Sequence, residues 1–500
     1  MFDSLLSIET TLLVTIVCLT VYRLARRRTP PPPPGPPGYP IIGNVLDMPG
    51  VDECHTFAKW REEYGDLISL NCAGTVIVIC NSYQKAVELL EKKSAIYSDR
   101  ASAPMATDLV GWKNNLAFLP YGQRHREGRK LFHQELGQPL SLVRFHHQEE
   151  DESLNFLKRL LKNPKDYERS ISKHAGAIVM RIVYGYEKQD DKLVALVNKV
   201  MEAAGLAMAP SHFWVNMMPW LKYVPAWMPG AGFQRIAAEW RQDMMNMVNQ
   251  PFEFVKTGMR EGTAPESFTS RLLADEKTRD KTDTIKWLAG SMFAGGSDTT
   301  YATIYAFSLA MTLFPDVQKR AQAEIDAVVG QDRLPSYADR DHLPFVEVLV
   351  QEVLRFFSVV PIGIPHVSLA DDVHDGYFIP KGAIIFQNLW LMSHDPKVYK
   401  NPMEFDPTRF MGPNPEQDVR DYCFGFGRRA CPGKYLADVT VWISCVRVLA
   451  TFEIKAPIAT DGTPRVQHVK AAPGIVTHPV EFECEITPRS TKAASLIAMS

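Results

Sequence analysis

The cysteine at position 431 lies in the part of the sequence whose residue types are best suited to chemistry. It belongs to the run Phe424–Gly433, which reads Phe-Gly-Phe-Gly-Arg-Arg-Ala-Cys-Pro-Gly, and a predicted helix over Lys434–Leu449 follows directly. Glycine lets backbone N–H groups turn towards a sulfur atom, and cations and a helix N-terminus stabilise negative charge. These conditions favour a thiolate, the form of cysteine that binds a metal. The sequence therefore indicates a metal-ligating Cys431.

A second chemically suggestive segment lies inside a long apolar run, Ile285–Leu313, which predicts a helix. Residues 294–300 read Ala-Gly-Gly-Ser-Asp-Thr-Thr. Two adjacent glycines cost a helix about 1 kcal/mol each relative to alanine, so they predict close approach of another group or a local break in the helix. Asp298 and Thr299 follow about one turn later on nearly the same face. Taken alone, the segment could equally be a kinked core helix; beside a metal, it suits dioxygen binding and a proton path.

Both segments resemble motifs of the cytochrome P450 family. The haem-binding pattern Phe-x-x-Gly-x-Arg-x-Cys-x-Gly is matched at five positions: Phe424, Gly427, Arg429, Cys431 and Gly433. Residues 295–300 match the oxygen-binding helix of the same family at every place. The resemblance implies haem b as the cofactor, with Cys431 as the axial ligand of its iron, and a proton path through Asp298 and Thr299. An axial thiolate donates electron density that favours cleavage of the O–O bond.

The resemblance also implies which residues surround the haem. Its propionates need cations or hydrogen-bond donors, and the candidates are Arg429, Arg129, His125 and His366. His125 stands where the family usually has tryptophan, and an imidazole can still donate to a propionate. For the substrate pocket the resemblance implies mainly apolar residues: Trp112, Phe293, Val360, Ile364 and Ile475.

A Glu-x-x-Arg pair, Glu352 and Arg355, precedes the segment 402–410, which reads Pro-Met-Glu-Phe-Asp-Pro-Thr-Arg-Phe. As an exposed pair on a helix it would contribute only about 0.2–0.5 kcal/mol. By resemblance to the family, Glu352, Arg355 and Arg409 form a buried ion triad behind the cysteine loop. We interpret this triad as structural and not catalytic.

Composition narrows the class of protein. The chain has 500 residues, of which 46% are hydrophobic and 22% charged, and its formal net charge of −2 gives no support for nucleic-acid binding. Eight scattered cysteines without a Cys-x-x-Cys pair are typical of a reducing compartment and not of a disulfide framework.

The N-terminal segment predicts a membrane anchor. Residues 5–24 are mostly apolar and approach spanning length, and four arginines follow at positions 23, 26, 27 and 28. The positive-inside rule then places the N-terminus in the lumen of the endoplasmic reticulum and the rest of the chain in the cytosol. We divide the chain into an anchor with its basic stop (1–28), a proline-rich hinge (29–40) that acts as a semi-rigid spacer, and a haem-thiolate monooxygenase domain (41–500). Residues 212–229, rich in tryptophan and methionine, predict a further membrane contact.

The body of the chain predicts a mainly α-helical domain with a minor β part, and the resemblance implies the cytochrome P450 fold preceded by one transmembrane helix. Leu67–Leu70 and Thr75–Cys80 predict a hairpin. Asn81 or Ser82 caps a helix that continues to Leu90. Further short strands are predicted at Val373–Phe378, Ala383–Phe386 and Val480–Ile486.

By resemblance, the function is insertion of one oxygen atom from O2 into a C–H bond of a lipophilic secondary metabolite that is terpenoid, polyketide or indole-like. No flavin or nicotinamide motif occurs in the chain, so a separate NADPH–cytochrome P450 reductase, with or without cytochrome b5, should supply the electrons. The basic segment 121–130, with Arg428 and Lys434, could dock such an acidic donor; Arg124 and Lys130 taken singly are solvated charges. Two alternatives stay open: a haem-thiolate isomerase or dehydratase that needs neither O2 nor reductase, and a membrane-anchored haem sensor without turnover.

Overall fold

Helices make up most of the protein. The computed structural model describes residues 30–186, 191–209, 212–459, 463, 465 and 467–499. The α-helices are α1 Glu53–Tyr64, α2 Tyr83–Ala86, α3 Gln123–Leu136, α4 Pro139–Leu142, α5 His146–Lys162, α6 Tyr167–Tyr184, α7 Asp191–Met208, α8 Trp214–Met217, α9 Gly232–Glu261, α10 Phe268–Ala274, α11 Thr282–Leu313, α12 Pro315–Val328, α13 Pro344–Phe356, α14 Leu389–Ser393, α15 Lys434–Thr451 and α16 Thr491–Met499. The prediction of a mainly helical protein with a minor β part is confirmed.

Short helical turns of other types join these elements. Two are π-helical, Val87–Lys92 and Met105–Val110. The others are 3₁₀ turns: Trp112–Asn114, Val143–Phe145, Pro164–Asp166, Pro219–Tyr223, Tyr337–His342, Pro407–Phe410, Val419–Asp421 and Gly427–Arg429. Of the two predicted caps, Asn81 and Ser82, the structure selects Ser82, whose side chain accepts a hydrogen bond from Lys85 N–H. The helix predicted to continue to Leu90 is α-helical only to Ala86 and goes on as the π-turn Val87–Lys92.

The strands form small sheets. They are β1 Leu67–Cys72, β2 Thr75–Cys80, β3 Asp99–Arg100, β4 His366–Val367, β5 Asp372–His374, β6 Tyr377–Ile379, β7 Ile384–Gln387, β8 Phe452–Lys455 and β9 Glu485–Pro488. The largest sheet has the order β1-β2-β7-β4-β3, in which β2 and β7 are parallel and the other neighbours antiparallel. Strands β5 and β6 pair with each other, as do β8 and β9.

The structure confirms two strand predictions and corrects two. The strand predicted at Ala383–Phe386 is β7, Ile384–Gln387. The hairpin of β1 and β2 forms with Leu67 opposite Cys80. The single strand predicted at Val373–Phe378 is a hairpin, because Asp375 and Gly376 take positive φ angles of 51° and 78° and reverse the chain. The strand predicted at Val480–Ile486 begins only at Glu485. The apolar pattern of the sequence therefore predicted that strands occur in these segments, but it did not predict where they begin and end.

Helix α11 is the central element of the fold. It is apolar nearly all round and packs against α6, α9 and α15. Pro315, the first residue of α12, ends α11 at Leu313, because proline cannot continue the hydrogen-bond ladder of the preceding helix. The helix predicted at Ile285–Leu313 is thus confirmed and is one turn longer at its N-terminus.

Two hydrophobic clusters meet along α11. The first half of the helix, from Ile285 to Ala294, packs into a cluster with α6, α7 and α9. The second half, from Ile304 to Met311, packs into a cluster with α13, α15 and β8. Residues 295–300, with the glycine pair, lie between these two halves of the helix.

The proline-rich segment is attached to the body of the protein over part of its length. Ser69 of β1 donates its N–H to Pro34 O (2.9 Å), and Phe378 of β6 donates its N–H to Pro31 O (2.8 Å). A β-carbon at Gly35 would lie 2.1 Å from Ser69 O, so only glycine allows this approach. The predicted semi-rigid spacer over 29–40 is thus hydrogen-bonded to two sheets at Pro31 and Pro34, and its role as a hinge stays a prediction.

The predicted anchor, residues 1–28, lies outside the described residues. Within the part of the chain that is described, no helix is both long enough and apolar enough to cross a bilayer.

Candidate active site

The loop that carries Cys431 is closed by its own backbone. Cys431 donates its N–H to Phe424 O at 2.7 Å. Gly425 and Gly427 take positive φ angles of 76° and 52°, which other residues adopt at a cost. A β-carbon at Gly427 would lie 2.2 Å from Leu90 O, so this glycine also lets the loop pack against the π-turn Val87–Lys92. The glycines thus serve chain reversal and close packing.

Cys431 combines accessible surface with dense surroundings. It is the exposed one of the seven cysteines that the structure describes. Burial nevertheless raises the pKa of its thiol, whereas a hydrogen bond from Gly433 N–H and the charges of Arg129 and Lys434 lower it. The N–H group and the cations thus act in the predicted direction, towards the thiolate, and burial acts against them. Coordination to a metal ion would supply the missing stabilisation of the anion.

The two arginines next to Cys431 in sequence point away from the sulfur. Arg428 donates to the hydroxyl of Tyr121 at 2.6 Å. Arg429 donates from Nε to Ser98 O (2.7 Å) and from Nη2 to Leu119 O (2.8 Å). The predicted role, a cation close to the cysteine loop, is taken by Arg129, whose Nη1 donates to Ala430 O at 2.5 Å.

Five basic side chains form a group beside the loop, here named the cationic cluster: Arg100, Arg129, Arg429, His125 and His366. Their charges oppose one another. Burial lowers the pKa of His125 to about 3, with the charges of Arg429, Arg129 and Arg100 adding to the effect. Burial also lowers the pKa of Arg429 to about 10; Asp99 acts in the other direction and offsets this only in part. The pKa values of Arg100, Arg129 and His366 are lowered too, in each case first by burial.

Two nitrogen atoms of this cluster are buried without a hydrogen-bond partner, Nη1 of Arg429 and Nδ1 of His125. An unpaired buried polar atom costs about 1–3 kcal/mol, so a pair of them in an excess of positive charge indicates an anionic ligand. The carboxylates of haem propionates carry the required charge and accept such bonds. The residues present therefore fit haem: the cationic cluster would bind its carboxylates, and Cys431 would hold its iron.

Arg100 was not among the residues predicted from the sequence. Its guanidinium donates to Ala117 O (2.9 Å), Ile364 O (2.5 Å) and Pro365 O (3.1 Å). The strand pair β3–β4 places it opposite His366. No motif marks Arg100 in the sequence; the signal is the pairing of two short strands, which a single sequence does not contain.

The remaining residues predicted for the cysteine site differ in burial and in their contacts. His366 is buried, and its Nδ1 lies 2.6 Å from Tyr97 O. Phe424 is half-buried and contributes the carbonyl that receives Cys431 N–H. Gly433 precedes α15, and a β-carbon there would lie 3.9 Å from Cys431 Sγ.

The glycine pair of α11 has one open side and one packed side. A β-carbon at Gly295 would meet no atom within 4 Å, whereas one at Gly296 would lie 3.0 Å from Val179 of α6. The helix continues without interruption from Thr282 to Leu313. Thr299 donates its hydroxyl hydrogen to Gly295 O at 2.7 Å. Of the two predicted explanations, close approach of another group therefore applies to Gly296, and the predicted alternative of a local break is wrong, because the helix is continuous. Beside Gly295 the backbone has free space.

Asp298 has a partner that the sequence did not predict. Its Oδ1 lies 2.8 Å from Nε2 of His478, in the C-terminal segment. The side chains of Asp298 and His478 are 12% and 28% exposed. The acidic residue of this helix is thus held by a histidine 180 positions away in the chain.

The residues predicted to line a pocket divide into two groups. Val360, Ile364 and Ile475 are half-buried and keep surface that a ligand could contact. Phe293 has no exposed surface and packs edge-on against Tyr184, with ring centroids 6.2 Å apart. Trp112 is nearly as deeply buried. In this structure Phe293 therefore belongs to the core and does not line an open pocket.

Glu352, Arg355 and Arg409 form a buried ion triad. Glu352 accepts from Arg355 Nε (2.7 Å) and Nη2 (2.8 Å) and from Arg409 Nε (3.1 Å). Arg355 also donates to three backbone carbonyls, those of Ser393, Pro402 and Glu404. The triad joins α13 to the segment 402–410 and lies outside the cationic cluster.

Comparison with known proteins agrees with this geometry. A family model described as "Cytochrome P450" matches residues 33–486. The chain is 45% identical to cytochrome P450 monooxygenase 208 of Postia placenta over 97% of this chain and 96% of that protein. It is 40% identical to cytochrome P450 monooxygenase claR of Ampulloclitocybe clavipes (97% and 91%) and 36% identical to tryptamine 4-monooxygenase of Psilocybe cyanescens (96% and 98%). The chain therefore belongs to the cytochrome P450 family, among its haem-dependent monooxygenases.

Proposed function

We propose that this monooxygenase hydroxylates a lipophilic intermediate of secondary metabolism. The balanced reaction converts substrate, O2, two protons and two electrons into an alcohol and water, and the electrons come from NADPH through a separate reductase. Two buried nitrogen atoms without hydrogen-bond partners, one of His125 and one of Arg429, lie beside an accessible Cys431, and this observation carries the proposal. They supply the two kinds of contact that a haem with an axial thiolate requires.

The chain's own residues have distinct roles in this reaction. Haem, when bound, supplies the redox centre that activates dioxygen. Cys431 would ligate its iron, and Arg100, Arg129 and Arg429 would neutralise its carboxylates. The space beside Gly295 admits a diatomic molecule next to the helix backbone. The Thr299 hydroxyl, already hydrogen-bonded to Gly295 O, and the Asp298 carboxylate hold protons near that space.

The substrate class rests on the apolar residues of the pocket. Val360, Ile364 and Ile475 offer aliphatic surface, which favours a terpenoid, polyketide or indole-like molecule over a charged one. One relative is named for its action on tryptamine, which places indoles in the first panel to be screened. We infer a single C–H hydroxylation as the basic reaction.

We also propose attachment to the endoplasmic reticulum membrane through residues 1–28. Exposed aromatic side chains at 214–227 support a second contact: Trp214, Trp220, Tyr223 and Trp227. Tryptophan and tyrosine favour the lipid interface. A chain that begins at Thr29 should still bind vesicles of neutral lipid, and replacement of Trp214 and Trp227 by serine should abolish that binding.

The face near the cysteine loop is proposed to dock the electron donor, NADPH–cytochrome P450 reductase or cytochrome b5. Arg124, Arg126, Lys130 and Arg428 are exposed there, and Lys434 is half-buried. Such a face attracts an acidic partner with an affinity that falls as salt rises. Lys130→Glu should raise the KM for reductase and weaken its dependence on salt.

The deciding experiment is the absorption spectrum of the reduced, carbon monoxide-treated protein. A thiolate-ligated haem gives a strongly red-shifted Soret band, and Cys431→Ser should lose it while the protein stays folded. Lipophilic extracts and indoles can then be screened for compounds that shift the ferric spectrum. Product that forms only with both O2 and NADPH would exclude the isomerase, dehydratase and sensor alternatives. Product that forms without them would refute the proposal.

A further inference from the structure

The ion pair of Asp298 and His478 joins the central helix to the C-terminal segment. Among the described residues, the cation that pairs with Asp298 is this imidazole and not a lysine or arginine. His478 is more exposed than Asp298, so the pair leads from the interior outward. A histidine exchanges protons with water near neutral pH, whereas a lysine or arginine stays charged.

The backbone around His478 is firmly held. Thr477, its neighbour, donates its N–H to Val359 O (2.8 Å) and its hydroxyl hydrogen to Ser358 O (3.0 Å). His478 O accepts the N–H of Ala472 at 2.8 Å. The imidazole therefore reaches Asp298 from a fixed position. The same short segment contains Ile475, which keeps surface for a ligand.

Tyr301 and Tyr305 of α11 lie beside this pair. The ring of Tyr301, also on α11, lies 5.2 Å from the imidazole. The Tyr301 hydroxyl donates to Glu168 of α6 at 3.0 Å, so its proton is engaged away from Asp298. Tyr305 stacks on Tyr301, with ring centroids 5.6 Å apart. Hence the basic partner available to Asp298 among these groups is His478.

We propose that His478 is a positioning and proton-relay residue, which takes protons from solvent and passes them through Nε2 to Oδ1 of Asp298. This inference rests on the proposed function, in which each turnover consumes two protons. When Asp298 gives up a proton, the imidazolium of His478 replaces it, and water reprotonates the imidazole. No other oxidant or reductant is involved. The sequence offers no sign of this role, because His478 lies in no motif.

The first test does not depend on a substrate. In ¹³C-histidine-labelled haem-loaded protein, the resonance of His478 is identified by its loss in His478→Gln and titrated with pH. A neighbouring carboxylate favours the charged imidazole, so the His478 resonance should titrate at lower pH in Asp298→Asn than in wild type. An unchanged midpoint would overturn the proposal.

The second test separates proton relay from structural support. Glutamine can donate a hydrogen bond to Asp298 but cannot carry a proton. We expect His478→Gln to lower NADPH-driven product formation about tenfold or more, to increase the solvent deuterium isotope effect, and to leave the KM of the substrate unchanged. The probe is the compound that gives the largest spectral shift in the screen above. The matched control is His468→Gln, because His468 is exposed in the same segment.

Hydrogen peroxide provides the counter-experiment. It brings two electrons and two protons of its own, so substrate and peroxide give alcohol and water without net uptake of protons. Product formation with peroxide should therefore be nearly equal in wild type and His478→Gln. An equal loss in the NADPH-driven and peroxide-driven reactions would assign His478 a structural role and overturn the relay. Absence of product from wild type would instead refute the proposed function, and the titration would still test the pair.

Discussion

The protein contains two buried groups of arginines with opposite electrostatics. In the ion triad, every N–H of Arg355 has an acceptor: two on Glu352 and three on backbone carbonyls. In the cationic cluster, Nη1 of Arg429 has none. Accordingly the pKa of Arg409 in the triad is raised by Glu352 and Glu416 in spite of burial, whereas the pKa of Arg429 is lowered to about 10.

The difference separates residues that hold the fold from residues that await a ligand. A buried charge matched by carboxylates and carbonyls is satisfied within the chain and needs nothing more. A buried charge whose neighbours are also positive is satisfied only when an anion binds. The family motifs include arginines that hold the fold and arginines that bind a ligand. Whether each N–H group has an acceptor within the chain distinguishes the two.

The largest loss of stability should come from removing one arginine of the ion triad. Arg355→Ala leaves the Glu352 carboxylate buried with one arginine fewer, so we expect a loss of about 3–5 kcal/mol in the free energy of unfolding and little folded protein. Arg355→Lys keeps the charge without the fork of donors and should give an intermediate loss. The measurement is the folded yield and the denaturation midpoint in urea. Near wild-type stability of Arg355→Ala would contradict the assigned role.

A buried carboxyl group, that of Glu149, adds a third case to the comparison. Glu149 is fully buried and accepts hydrogen bonds from Thr440 and Tyr337, both at 2.6 Å, and burial raises its pKa to about 7. The protonated form is thus favoured in the folded state. Its stabilisation is complete below about pH 4.5 and is lost as the pH rises through about 7.

Glu149→Gln should remove that dependence on pH. In wild type the contribution of Glu149 changes on the order of 3 kcal/mol across this range, so the melting temperature should fall from pH 5 to pH 7.5 more in wild type than in the variant. Glu150→Gln serves as the neighbouring control. Equal slopes in wild type and Glu149→Gln would refute the prediction.

Removing a charge from the cationic cluster should weaken haem binding and hardly change the stability of the fold. Arg129→Met should leave the stability of haem-free protein within about 1 kcal/mol, because the lost charge was repelled by its neighbours. Haem loss to a competing apoprotein should become about tenfold faster, as expected for one charge-assisted hydrogen bond. Lys130→Met, at the exposed neighbouring position, should change neither quantity.

The smallest effect concerns the unpaired imidazole. His125→Phe removes the unsatisfied Nδ1, so the haem-free protein should gain about 1 kcal/mol in stability, while haem dissociates a few times faster. Thermal melting of the haem-free form and the haem transfer rate measure the two changes. His133→Phe, exposed on the same helix, is the control. A loss of stability in the haem-free variant would show that Nδ1 is satisfied within the chain.

The sequence predicted those parts of the molecule that depend on spacing along the chain. The hairpin of β1 and β2, the long helix α11 and the helix after Cys431 are confirmed because each follows from a local pattern. Glu352 and Arg355 stand one helical turn apart, so their pairing also follows from local geometry.

What the sequence did not predict depends on contacts between distant segments. Arg100 joins the cationic cluster through the pairing of two-residue strands, and His478 reaches Asp298 from far along the chain. The cations expected at Cys431 were its sequence neighbours, but consecutive side chains of a tight loop diverge. Arg129, which does act on the sulfur, comes from α3.

The attachment of the proline-rich segment has a consequence for truncated forms of the protein. Strand β1 is the last strand of its sheet, and on its outer side Ser69 N–H is bonded to Pro34 O and Asn71 N–H to the side chain of Asn44. Residues 33–44 therefore cover an edge that would otherwise be free to pair with other chains. A truncated form that begins at Pro30 keeps residues 33–44 on this edge. A form that begins at Ile41 lacks most of them and exposes the edge strand, so it should aggregate, which could be mistaken for a folding defect.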